Sequence, residues 1–306
     1  MALSRYRWIE RAHTPEQPTR SGMRFAQQLM LVPLTLALAS CGGGVLDPRG
    51  PVGRAERLIL IDATAIMLAV VIPVILLTLA FAWWFRAGNR HARYLPNWEY
   101  SGRIEMLVWS IPLLVILFLG GIAWEGSHEL DPPKPLISST PPLEIQVVSL
   151  DWQWLFIYPT QGIASINKVV VPAGTPVHFR LTSASVMNSF FVPQLGSQIY
   201  TMAGMTTQLH LLADHEGTFQ GISAQFSGDG FSDMKFDFVA TSAGEFEDWV
   251  AASRAQGRVL DEASFVELAR PVHARGPATF AQVSRGLFDH IVSGHIVADP
   301  VPQLSH

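Results

Sequence analysis

Cysteine is almost absent from this chain. Its one thiol, Cys41, excludes an internal disulfide. No cysteine set remains for structural zinc, and the ten histidines lie scattered without metal-ligand spacing. Charge is scarce as well. Only 15% of residues are charged, against roughly 25% in ordinary soluble domains. The formal net charge of −4 comes without any basic block, which argues against nucleic acid as a partner. Enzyme signatures are missing too. There is no Gly-x-Ser-x-Gly, no phosphate-cradling Gly-Lys-Ser/Thr and no Gly-x-Gly-x-x-Gly after a strand. The chain is expected to carry no catalytic residues of its own.

What is present is apolar sequence: 49% of the 306 residues are hydrophobic and the mean hydropathy is +0.25. A membrane part plus one folded domain fits that length and balance. Residues 1–22 are polar and carry no apolar period. Met23 and Arg24 then precede an apolar run, Leu29 to Leu38, that ends in Leu38-Ala-Ser-Cys41. A positive start, an apolar stretch and small residues describe a signal peptide. Translation from Met23 gives that signal its usual proportions. The run also fits a short membrane span holding a buried cysteine, although spans need about 20 apolar residues.

Residues 1–40 are thus expected to be leader and signal, and 41–57, rich in Gly and Pro, a linker. Residues 58–125 are read as a transmembrane hairpin. Leu58 to Phe85 is apolar apart from Asp62 and a few hydroxyls, and Ile104 to Trp124 follows a polar loop with Arg86, Arg90, Arg93 and Arg103. Trp83 and Trp84 suit a membrane interface, and the loop arginines place that loop in the cytoplasm. Asp62 is a functional candidate as an ionisable group in a span, or an interfacial carboxylate paired with an arginine.

Beyond a stiff Pro-rich linker at 131–142, the pattern alternates with period two. Strand-like runs at Glu144–Leu150, Lys168–Val171, Val177–Thr182, Ser189–Val192, Thr207–Ala213, Thr218–Phe226 and Lys235–Thr241 predict an antiparallel sandwich or barrel over 126–243. The aromatic ladder Trp152, Trp154, Phe156 and Tyr158 is read as core and interface packing. Residues 244–306 turn helical: Phe246, Trp249 and Val250, then Phe265 and Leu268 after a cap at Asp261, then Phe280 to Ile291. This extension caps the sandwich or offers a docking surface.

Two stretches carry a family resemblance. They are Val186-Met-Asn-Ser-Phe-Phe-Val-Pro-Gln-Leu-Gly196 and Gly221-Ile-Ser-Ala-Gln-Phe-Ser-Gly-Asp-Gly-Phe-Ser-Asp-Met234, with Tyr200-Thr-Met-Ala-Gly-Met205 between. Their frame resembles subunit II of the haem-copper oxidases over roughly residues 41–300. In that family an early His, a Cys-x-Glu-x-Cys, a late His and a Met hold a dinuclear copper centre. Here Asn188 stands for the early His, Ser223 and Ser227 for the cysteines, Gln225 for the Glu and Phe231 for the late His; only Met234 is kept. Soft thiolate and imidazole donors suit copper, and these replacements do not.

The pattern therefore resembles the quinol-oxidising, cytochrome bo type branch. The resemblance implies a cupredoxin-like Greek-key fold behind the helical hairpin, with an aromatic-rich helical tail. It implies a chain with no cofactor of its own, assembled with subunit I and further membrane subunits in a bacterial inner membrane. Haems, copper and the quinol site would lie in subunit I, and no cytochrome c would dock. The Leu-Ala-Ser-Cys ending resembles the lipoprotein box, which implies acylation at Cys41 and an N-terminus and outer domain in the periplasm. Glu105 matches in position a glutamate at the entrance of a proton pathway into subunit I; it also reads as an ordinary solvated helix end.

Overall fold

Pro51 opens the first long helix, α1 (Pro51–Trp84). Proline suits the first helical position, where its missing N–H would have no partner anyway. This is a computed structural model, which describes residues 44–93, 95–272 and 276–296. The leader and Cys41 lie outside those residues. Helix α2 (Gly102–Glu129) returns beside α1, with Gly126 against Ile59. Both helices are long and apolar enough to cross a membrane. Their large side chains point outward, Trp109 at 76% exposure. A helix apolar all round needs lipid or protein around it. Within α1, Thr64 and Thr78 donate to the carbonyls of Leu60 and Val74, so their hydroxyls need no water.

Helix α1 starts before the expected Leu58. Residues 41–57 read as a linker for their Gly and Pro, yet 51–57 are helical. Arg54 and Glu56 stand in the first turns of the helix and reach Asp214 and Ser197 of the β domain.

The β domain begins with β1 (Leu143–Leu150), β2 (Gln153–Tyr158), β3 (Ile163–Ile166) and β4 (Lys168–Pro172). It continues with β5 (Val177–Ser183), β6 (Asn188–Val192), β7 (Gly196–Thr201), β8 (Thr207–Leu211), β9 (Gly217–Ser223) and β10 (Lys235–Thr241). One sheet has the order β4-β10-β9-β6-β7; the other runs β3-β2-β1-β5-β8 and gains a short strand, β12 (Ala278–Phe280), beside β3. The sheets are mixed rather than antiparallel: β1 pairs β5 and β4 pairs β10 in parallel. Strand spacing in a sequence shows that strands exist, but it does not show their partners.

The two sheets enclose the main core. Alternate residues of β2 (Trp154, Phe156 and Tyr158) enter it and are fully buried. Leu155 and Ile157 point the other way into a second core, under the C-terminal extension. A strand buried on both faces reads as one continuous apolar run. The extension comprises α3 (Ala243–Ala255), β11 (Val259–Leu260), α4 (Glu262–Leu268), β12, β13 (Gln282–Val283) and α5 (Leu287–Val292). Its middle is partly strand where a helix was expected. Phe280 pairs with Ala164, so an edge of the sheet was open to it. Gln153 Nε2 donates to the Leu268 carbonyl at 2.6 Å, and Arg180 lies over the Phe288 ring at 5.2 Å.

Candidate functional site

The positions that the resemblance sets against copper ligands lie where β6, β9 and the loop after β9 meet. Antiparallel pairing sets Phe190 opposite Ser223, which brings the start of β6 to the end of β9. Asn188 is fully buried there. Its Oδ1 lies 3.1 Å from Ser223 Oγ, and its Nδ2 donates to the Val186 carbonyl at 3.2 Å. Ser223 Oγ also reaches the Gln225 carbonyl at 3.2 Å. Gln225 thus enters the site through its backbone. The strand expected to run to Phe226 ends at Ser223, and the residues beyond it form the loop.

The loop wraps Trp152. Its indole N–H donates to the Ser227 carbonyl at 3.0 Å. Gly228 and Gly230 cradle the ring: a Cβ built on Gly230 would stand 2.4 Å from the Trp152 ring. Ser227 Oγ is buried, with no hydrogen-bond partner among the described residues. Phe231 opens a single 3₁₀ turn and packs edge-on against Phe226, with ring centroids 5.7 Å apart. Met234 is 1% exposed and belongs to the main core, while its carbonyl accepts from the Ser223 N–H at 3.1 Å.

Two hydroxyls, two amides, a phenyl ring and a packed thioether do not fit a redox metal that needs thiolates and imidazoles. Nor do the described residues contain a group of three or more His, Cys, Asp and Glu placed to hold a metal ion. Asn188 and Ser223 are instead buried and bonded to each other.

Residues 145–240 match the family model for the cytochrome c oxidase subunit II periplasmic domain. The chain is 53% identical over 265 residues to the cytochrome bo(3) ubiquinol oxidase subunit 2 of Pseudomonas aeruginosa, covering 87% of this chain and 80% of that one. It is 51% identical to the ubiquinol oxidase subunit 2 of Acetobacter aceti, covering 84% of each. It is 31% identical to the quinol oxidase subunit 2 of Bacillus cereus, over 79% of this chain and 84% of that one. The chain belongs to the ubiquinol oxidase subunit 2 family. The sandwich is accordingly the cupredoxin-like domain of a haem-copper oxidase subunit, following a pair of apolar helices and carrying a helical C-terminal end.

Other predicted residues of this subunit lie elsewhere. Glu105 sits exposed in the first turn of α2, where a carboxylate favours the positive end of the helix dipole. It lies at the end of the hairpin away from the β domain. Asp62 is exposed along α1. The aromatic ladder is core: Trp154 meets Phe190 and Phe236 edge-on, and the Tyr158 hydroxyl bonds Val170. Burial holds that phenol well above its ordinary range, with its hydrogen bond to the Val170 backbone opposing.

One functional feature escaped the sequence reading. Residues 47–56 clasp the β domain. Arg49 N donates to Gln194 O at 2.7 Å, Gly53 N to Leu195 O at 3.0 Å and Asp214 N to Arg49 O at 2.9 Å. Ser197 Oγ donates to Glu56 at 2.6 Å, and Arg54 pairs with Asp214. Gly50 directly before Pro51, at a helix start, was the available signal.

Proposed function

We propose that this chain is the supporting subunit II of a proton-translocating ubiquinol oxidase in a bacterial inner membrane, and that it binds no copper. The assembly oxidises ubiquinol, reduces oxygen to water and moves protons across the membrane. Haems, copper and quinol belong to subunit I. This chain contributes two lipid- and partner-facing helices and a periplasmic domain above them, and no cytochrome c docks on it. Cys41 carries the lipid anchor. The observation that supports the reading most is the Ser223 hydroxyl spent on Asn188 and the Gln225 carbonyl, at the place where relatives with copper would present a thiolate and an imidazole. A lipid-soluble donor can reach a partner from within the bilayer, so it needs no metal relay in an outer domain.

The test is to purify the intact assembly and assay its donors. Ubiquinol should drive oxygen uptake and reduced cytochrome c should not. Metal analysis should leave no copper on this chain once it is separated from its partners. Uptake with cytochrome c alone, or two coppers on the chain, overturns the reading. The same preparation gives the chain's mass, which should exceed that of the peptide starting at Cys41 by its acyl chains; an unmodified thiol refutes the anchor.

Glu105 is assigned proton uptake at the cytoplasmic edge. Glu105→Ala should slow ubiquinol turnover while the haem content of the assembly stays unchanged. Unaltered turnover removes that role.

A further inference from the structure

The elbow between α1 and α2 has the shape and chemistry of a binding site that the reading above leaves unused. Residues 85–93 and 95–98 fold back on the end of α1. Asn89 Nδ2 donates to the Trp84 carbonyl at 2.6 Å, closing the helix end, and Asn89 N and Trp98 N form turns onto Arg86 O and Leu95 O. The result is a concavity of about 600 Å³. Its wall is mixed: Arg86 and Arg93 on one hand, Phe85, Leu95 and Trp98 on the other.

Among the described residues, none of Arg86, Arg90 or Arg93 lies within ion-pair distance of a carboxylate. Arg86 donates to the Trp83 carbonyl at 2.9 Å and lies 4.8 Å from the Trp83 ring centroid, contacts that orient the guanidinium without neutralising it. Phe85, Leu95 and Trp98 are all exposed. Such a wall asks for a ligand that is anionic at one end and apolar at the other. Guanidinium groups match phosphate oxygens in pairs, and aromatic rings settle at the headgroup level beside a span. Basic clusters next to a span attract anionic lipid.

We propose that this elbow holds one anionic phospholipid of the surrounding bilayer, its phosphate on Arg86 and Arg93 and its chains along Phe85, Leu95 and Trp98. The proposal rests on the membrane reading above only for placing the elbow at a bilayer surface. A soluble phosphate would leave the apolar wall unused, and a zwitterionic lipid would bring its own headgroup cation beside the two guanidinium groups.

The test uses the intact purified assembly, stripped of loosely held lipid and titrated with phosphatidylglycerol while native mass spectrometry counts bound lipid. The paired substitution Arg86→Gln with Arg93→Gln should remove one tightly held lipid per assembly. Each arginine near a membrane surface is worth about fivefold, so the affinity at this site should fall roughly thirtyfold. Arg86→Lys with Arg93→Lys should fall between wild type and the Gln pair, keeping the charge and losing the paired match. An unchanged lipid count in the Gln variant overturns the proposal. So does equal retention of phosphatidylcholine, or displacement by glycerol phosphate at equal concentration. Should the Gln variant not assemble, a photoreactive phosphatidylglycerol on the wild-type assembly decides. Label on the peptide 85–98 supports the site, and label on this chain only elsewhere overturns it. The donor assay on the same preparation reports separately on the oxidase reading.

Discussion

Two imidazoles lie face to face on the outer side of the β domain. His178 and His210 are directly opposite each other on β5 and β8, with ring centroids 4.5 Å apart and planes within 6°. Glu144 occupies the neighbouring position on β1 but is engaged by Arg180 at 3.7 Å, and Gln208 Oε1 takes the His178 Nε2 contact at 3.2 Å. The backbone of His210 is bonded to Pro132 O of the linker below α2. Burial, and then the charge of His178, hold the His210 imidazole below its ordinary range. Folding therefore favours the neutral ring, whereas the unfolded chain takes up a proton near pH 6.5. The stability this pair contributes is complete above about pH 6.5 and is lost as the pH falls below it, because the unfolded state then binds more protons. His210→Gln should flatten the fall in melting temperature between pH 7.5 and pH 5.5, measured against wild type in the same detergent. An equal fall in both proteins would show that the pair carries no pH dependence.

At the scale of elements, legibility followed periodicity and failed where partners decide. Two apolar runs gave two helices, and the alternating stretches from Glu144 to Thr241 gave most strands of the sandwich. Strands β3 and β7 were missed. Ile163–Ile166 is four residues buried on both faces, too short to show a period. Gly196–Thr201 begins at a glycine with φ +140° that sequence reads as a turn. The strands of the extension, β11 to β13, are two or three residues long and exist because a sheet edge or each other lies beside them. Caps fared better. Ser242 and Glu245 form a reciprocal capping box at α3, and Asp261 caps α4. The candidate site was placed by its resemblance to family motifs rather than by period. Sequence could not show that Ser223 would bond Asn188, since that depends on β6 pairing with β9.

At the scale of the whole molecule, the clasp of residues 47–56 settles how a helix can be tied to a sandwich. A flexible tether would let α1 and the β domain move apart. Here backbone hydrogen bonds run both ways between the strap and residues 194–195 and 214, Val52 is 8% exposed, and a Cβ built on Gly196 would stand 2.6 Å from the Val52 side chain. Gly50 passes so close to β-domain backbone that an added Cβ would stand 2.2 Å from the Leu212 carbonyl oxygen. That neighbour is backbone, so relief requires the strap itself to shift. Gly50→Ala should loosen the clasp by about 1–3 kcal/mol, the ordinary cost of overpacking a tight site. The loss should be local. Amide hydrogen exchange at Arg49, Gly53 and Asp214, the three donors of the clasp, should speed up while the amides of β2 keep their protection. Gly244→Ala is the control, because nothing lies within 4 Å of its added Cβ and it sits in the first turn of α3. If exchange at those three amides is the same in Gly50→Ala as in wild type, the strap is not what fixes α1 to the sandwich. The orientation of the periplasmic domain over the helices would then have to come from the α2 side and its linker.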